Sequence, residues 1–210
     1  MPNTPTIYIP LGEDSYLADY LMYISSTLIY IVIGNVYKTY THYFNTNQWY
    51  HIVIVREGDS IEVFKDNTSL GTQTGFGTSV TTKIDTIGAK TNGNNSFIGL
   101  IDAVAFFNYA LSTSQITTLY GSSSTGIGNP MALPSPPIAY YPLGTSAWDG
   151  NFLAENNAIG DYVFKIQPGN GIDTGIINLG YQFTVSFWFQ RTVTGEYRLL
   201  NVTNSAGASS

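Results

Sequence analysis

The chain has 210 residues, eight of them Lys or Arg and fourteen Asp or Glu, for a formal net charge of -6. Scattered basic residues exclude a nucleic-acid partner, which relies on clustered Lys and Arg, and the absence of cysteine excludes disulfides, thiolate metal sites and cysteine nucleophiles. With charged residues at only 10%, the polar surface has to come from Ser, Thr, Asn, Gly and the hydroxyls of 16 tyrosines, a composition that suits particles, adhesins and secreted β proteins.

The opening "MPNTPT" has neither the basic start nor the apolar run of a signal peptide. Residues 20–37, "YLMYISSTLIYIVIGNVY", are uncharged over the length of a short membrane-spanning helix. Ser25, Ser26, Thr27, Gly34 and Asn35 break the run, and "TLIYIVIG" is β-branched and aromatic, so it reads as buried strand without membrane insertion. Further strands are predicted at 36–44, 49–56, 60–65, 83–88 and 96–107, after a first at 27–33. In 49–56 both alternating faces are mostly apolar, as in a strand covered on two sides. "REGDS" and "DNTSLG" read as turns, because Asp and Asn accept left-handed backbone. "STSQITTLYG" predicts one helix of about two turns, with Ser112 as cap, Ile116, Leu119 and Tyr120 on one side, and Gly121 as stop.

Residues 122–137, "SSSTGIGNPMALPSPP", read as a linker, flexible at its Ser/Gly start and stiff at its prolines. It divides the chain into 1–121 and 138–210, and the second piece carries strands at 138–142, 161–166, 182–190 and 196–202. The pieces share a short echo, "YIPLG" at 8–12 and "YYPLG" at 140–144. Many short strands with turn residues between them predict an all-β protein, a two-sheet antiparallel sandwich or jelly roll with one short helix.

The motif order carries a resemblance. "NQWYHIVIV", "IEVFKDNTSLGT", "TIGAK" and "FIGLIDAVAFFNYALSTSQITTLY" make the first piece similar to the back half of a laminin-G-like, concanavalin A-like jelly-roll domain. "IAYYPLGTSAWDG", "DYVFKIQPGNGIDTG" and "FTVSFWFQ" make the second similar to its front half. The halves stand in reversed order. They either complete one sandwich, by permutation or by swapping between chains, or belong to two tandem repeats. The style of the second piece also resembles repeated lectin-like domains in structural proteins of marine tailed phages. That resemblance implies an extracellular or virion-surface location and self-association with neighbouring copies of the fold.

Paired acids of the kind a glucanase uses are missing from the pattern: Glu13, Glu57, Glu62, Glu155 and Glu196 are each isolated. His42 and His51 are nine apart, with no nucleophile motif beside them, and His51 reads as structural. Asp102 occupies the position where the family has an aspartate before its last core strand. Its carboxylate is expected to accept N–H groups of the "ALSTS" turn, and a calcium site using Asp102 and Asp149 is the alternative. Trp49, Phe64, Phe106, Phe183, Phe187, Trp188 and Phe189 read as core. Trp148 differs, because it sits in the loop "GTSAWDGN", where it can stack on a sugar while Asp149 and Asn151 bond the hydroxyls. The expectation is therefore a non-enzymatic structural and recognition domain of an assembled surface, with a glycan or host-surface ligand. A free carbohydrate-binding module and an accessory domain of a secreted glycoside hydrolase are the alternatives.

Overall fold

A computed structural model describes residues 20–34, 36–88, 97–122, 126–143, 153–155, 162–166, 171–195 and 197–202. In chain order the strands are β1 (Tyr20–Ile24), β2 (Leu28–Ile33), β3 (Val36–Thr41), β4 (Trp49–Glu57), β5 (Ser60–Lys65), β6 (Thr68–Gln73) and β7 (Thr82–Ile87). They continue as β8 (Gly99–Phe107), β9 (Ala139–Tyr141), β10 (Leu153–Glu155), β11 (Tyr162–Ile166), β12 (Ile172–Gly180), β13 (Gln182–Arg191) and β14 (Tyr197–Val202). One α-helix, α1 (Thr113–Tyr120), and a 3-10 turn at Pro130–Ala132 complete the elements. Among the described residues no helix is long and apolar enough to cross a membrane, and the uncharged 20–37 run is divided among strands.

Two antiparallel sheets form a sandwich. The first has the order β12-β7-β14-β1-β2-β3, and the second β10-β11-β8-β13-β4-β5-β6, with β9 added to β8. The pieces on either side of 122–137 are thus interleaved in both sheets: β13 lies between β8 and β4, and β14 between β7 and β1. Along β13, alternate residues Phe183, Val185, Phe187 and Phe189 enter the inter-sheet core, as a period of two requires. Phe44, Tyr50 and Phe97 meet them there, and Phe44 sets its edge against Phe189 at 5.1 Å. The Tyr40 hydroxyl spans the sheets, donating to the Ile61 carbonyl at 2.8 Å.

Turn chemistry explains the hairpins. Asp66 and Asn67 both take left-handed backbone, with φ of 48° and 62°, joining β5 to β6 in two residues. The expected turn at 66–71 is therefore shorter than its sequence suggests, because Thr68–Gln73 forms a strand. β6 escapes the period-two pattern as an edge strand without a buried face; the Gln73 amide on it caps the Thr39 carbonyl of β3. β12, also unexpected from the sequence, has an irregular register against β7 between Asp173 and Ile177, and this bulge erases its alternation. β1 and β10 are likewise strands the sequence reading did not place.

A second apolar cluster covers the outer face of the larger sheet. Val53, Phe64, Ala105 and Phe107 of the sheet meet Leu111 and, from α1, Ile116 and Leu119. Ser112 caps α1 in a capping box with Gln115. The described part of the 122–137 stretch is docked rather than free-standing: Leu133 joins this cluster, Pro130 is buried, and Gly128 N–H donates to the Leu119 carbonyl at 2.9 Å. A side chain at Gly128 would collide with the Thr118 carbonyl and the Leu119 Cα.

At one end of the sandwich, fully buried Arg56 organises the loop between β6 and β7. Its guanidinium donates to the carbonyls of Val80 (2.8 Å), Gly77 (2.8 Å) and Gly58 (3.1 Å) and to Thr82 Oγ1 (3.1 Å). The Asp59 carboxylate accepts N–H bonds from Gly75 and Gly77, which hold its pKa below the ordinary 3.8. Arg56→Met is expected to cost about 2–4 kcal/mol, because several buried acceptors lose their donor at once; chemical denaturation measures this. The depressed Asp59 pKa means its contribution is present above about pH 3.8 and fades as pH falls through the folded-state value. Asp59→Asn should flatten that acid limb, and an unchanged acid profile would contradict the assignment.

Candidate functional site

The outer face of β13 is the opposite of its inner one: Thr184, Ser186, Trp188 and Gln190 alternate with the buried aromatics. β4 runs beside it in a register that pairs Trp188 with His51 and Gln190 with Trp49. Trp188 and Trp49 are half-buried, so of the seven aromatics read as core only the five phenylalanines are buried. The tryptophans sit on the outer face, beyond the C-terminal end of α1.

The Trp188 ring lies 4.9 Å from the His51 ring at 26° and 5.6 Å from the Tyr120 ring at 13°. His51 and Tyr120 are themselves 5.9 Å apart. Rings stacked on opposite faces of an indole would lie at least about 7 Å apart, twice the contact distance. Both therefore rest against one face of Trp188, and neither covers the other face.

His51 Nε2 meets Ser186 Oγ at 2.8 Å, a serine–histidine contact inside the sheet's outer layer. It lacks the third element of a catalytic arrangement, since His51 Nδ1 is buried with no hydrogen-bond partner rather than oriented by a carboxylate. Burial pulls the His51 pKa down to about 3, so the ring is neutral. The backbone around it is tied to the β5–β6 turn: His51 N–H donates to Asp66 Oδ1 and Asp66 N–H to the His51 carbonyl, each at 2.9 Å. Thr117 of α1 donates to Asn67 Oδ1 at 2.9 Å, anchoring the helix to that turn. His42 keeps different company, edge-on to Phe44 at 5.1 Å, with its pKa lowered by burial and then by Lys65.

Asp102 lies opposite Trp188 on β8 and is buried. Its Oδ1 accepts the Ala103 N–H at 2.7 Å, where Ala103 takes φ of 49° and the register slips. Within "ALSTS", Leu111 N–H donates to Thr184 Oγ1 at 2.9 Å, and the Thr184 hydroxyl donates to the Tyr109 carbonyl at 2.9 Å. Among the described residues no three His, Asp or Glu side chains gather as a metal cluster. Trp148, Asp149 and Asn151, the glycan-binding residues suggested by sequence, lie outside the described residues, as does the Asp149 arm of the calcium alternative.

Residues 19–117 match the model of the concanavalin A-like lectin/glucanases superfamily. The matched stretch runs from β1 to α1 and contains both Trp49 and His51. No curated protein and no solved structure matches the chain. The match and the two-sheet architecture together support a carbohydrate-binding or structural β-sandwich in general. One sequence signal could have revealed the outer strip: in "FTVSFWFQ" the tryptophan falls in phase with Thr, Ser and Gln, not with the phenylalanines.

Because the folded-state His51 pKa lies below its unfolded value of 6.5, the unfolded chain binds the extra proton between about pH 3 and 6.5. This contribution to stability is at its maximum above pH 6.5 and declines as pH falls toward 3. An NMR titration should find the His51 ring silent between pH 5 and 8, and a midpoint near 6.5 would contradict the buried neutral assignment.

Proposed function

We propose that this chain is a non-catalytic recognition β-sandwich, a component of an assembled surface such as a phage virion fibre or coat, that meets a glycan or host-surface ligand through its outer aromatic strip. The observation that carries this reading is Trp188, a half-buried indole with one face against His51 and Tyr120, in phase with Ser186 and Gln190. A flat apolar surface bordered by the half-buried Gln190 amide complements a pyranose ring, whose faces are apolar and whose edges carry hydroxyls. Catalysis is disfavoured by the chemistry of the same place, where the histidine is neutral and its Nδ1 has no carboxylate to orient it. The scarcity of charge suits a packed, long-lived surface, since few ion pairs need to be arranged between neighbours.

The alternative of a free carbohydrate-binding module draws support from the topology. Each sheet takes central strands from both pieces of the same chain, so one copy closes a sandwich without help from another.

A glycan array followed by titration calorimetry tests the recognition role. Trp188→Ala is expected to weaken the best ligand at least about tenfold, the 1.4 kcal/mol scale of an aromatic anchor, with a melting profile that still shows a cooperative fold. Loss of binding in Trp148→Ala with none in Trp188→Ala would move the site to the loop. Release of reducing sugar from a polysaccharide panel would overturn the non-catalytic reading.

A further inference from the structure

β9 is only three residues long, yet it reaches both apolar clusters. It pairs with β8 so that Ala139, Tyr140 and Tyr141 face Phe106, Ala105 and Val104. Tyr141 packs on the inter-sheet core, with its ring 6.2 Å from Phe106, while Tyr140 packs on the outer cluster. The seat is closed by Ile138 N–H donating to the Phe106 carbonyl at 2.7 Å, and by Leu143, buried in the core with φ of 54°. Pro142 has no N–H to satisfy, and its carbonyl faces the Ala103 N–H.

The chain contains this motif twice. Pro137-Ile-Ala-Tyr-Tyr-Pro-Leu-Gly144 is matched by Pro5-Thr-Ile-Tyr-Ile-Pro-Leu-Gly12, with the same residue at both prolines, the first tyrosine, the leucine and the glycine. Four of the seated positions have equivalents. Tyr8 stands for Tyr140 at the outer cluster, Ile9 supplies an apolar group for Tyr141, Pro10 again needs no acceptor, and Leu11 stands for Leu143. Residues 5–12 lie outside the described residues. Two copies of the motif meet one such seat among the described residues.

We propose that residues 5–12 take the β9 seat of a second copy of this chain, joining neighbours by strand exchange along the stretch of β8 that β9 pairs with. The occupant follows from side-chain equivalence, and a strand of three residues has few ladder bonds for a replacement to displace. A tethered β9 competes at an effective concentration on the order of millimolar. Exchange is therefore weak in dilute solution and favoured where copies are crowded, as on an assembled surface. The inference rests on the assembly reading proposed above and is independent of any glycan.

The cysteine-free chain offers a clean test by disulfide trapping. Ala105→Cys with Tyr140→Cys in one chain is the positive control, because these residues are cross-strand partners. Separate Ala105→Cys and Tyr8→Cys chains, mixed from micromolar to millimolar concentration under a mild oxidant, should yield a covalent heterodimer whose formation rises with concentration. Ala105 is 1% exposed, so trapping there requires an occupant in the seat. Adding Leu11→Asp to the Tyr8→Cys chain should reduce trapping at least tenfold. Trapping no faster than with exposed Thr72→Cys overturns the proposal, as does a bond formed only within a chain carrying both Ala105→Cys and Tyr8→Cys. Light scattering on the unmodified chain separates the two readings: association without trapping would retain assembly while excluding this strand as its means.

Discussion

The pairing of β13 is the constraint on which the rest of the structure depends. Nine consecutive residues, Gln182 to Gln190, align antiparallel with Trp49 to Glu57, while the other edge of β13 takes β8. A strand this long in the middle of a sheet sets the phase of everything beside it, because a slip of one residue would send Phe183, Phe187 and Phe189 to solvent and pull Thr184 and Ser186 into the core. The same pairing ties the late part of the chain to the early part. β4 and β8 are separated by three strands in sequence, β5 to β7, but by one strand in space, so neither can complete its ladder without β13.

Once that phase is set, the outer face of the larger sheet divides into a covered part and an open part. Its middle is covered by α1 and by the docked stretch around Leu133, which bury Val53, Ala105 and Phe107. Among the described residues the cover of α1 reaches Tyr120, and the strip of Trp49, His51 and Trp188 begins beside it. The polar groups there are mostly consumed by the scaffold: Ser186 by His51, Asp66 by the His51 backbone, Thr184 by Leu111 and Tyr109. Polar groups engaged in this way hold the strip to the scaffold around it.

Charge has a minor and local part. Arg56 and Asp59 are spent on one loop, and Lys65 pairs with Asp66 at 3.0 Å while lying over the Tyr50 ring. These contacts fix loops at the ends of the sandwich; the sheets themselves are held by apolar burial and backbone ladders. Such a molecule depends on keeping its apolar strand edges occupied, and the repeated Pro-Leu-Gly motif matters because it concerns one of those edges.

Much of this was legible in the order of residues. Extended apolar runs at 49–56 and 182–190, turn residues such as Asp66 and Asn67, and the Ser112 cap are local signals, readable because each depends on near neighbours in sequence. The all-β class, the single helix and most strand positions followed from them. Strands β6 and β12 were hidden because an edge strand needs no buried face and a bulge breaks the period. Which face of β4 holds the core, that Trp188 stacks on Tyr120 of a distant helix, that His51 meets Ser186, and that Gly128 lets the Pro-rich stretch dock were decided only by tertiary structure. The physical reason is the same in each case: periodicity tells which residues share a face, but only the sheet that packs against that face determines whether it is buried, covered or left open.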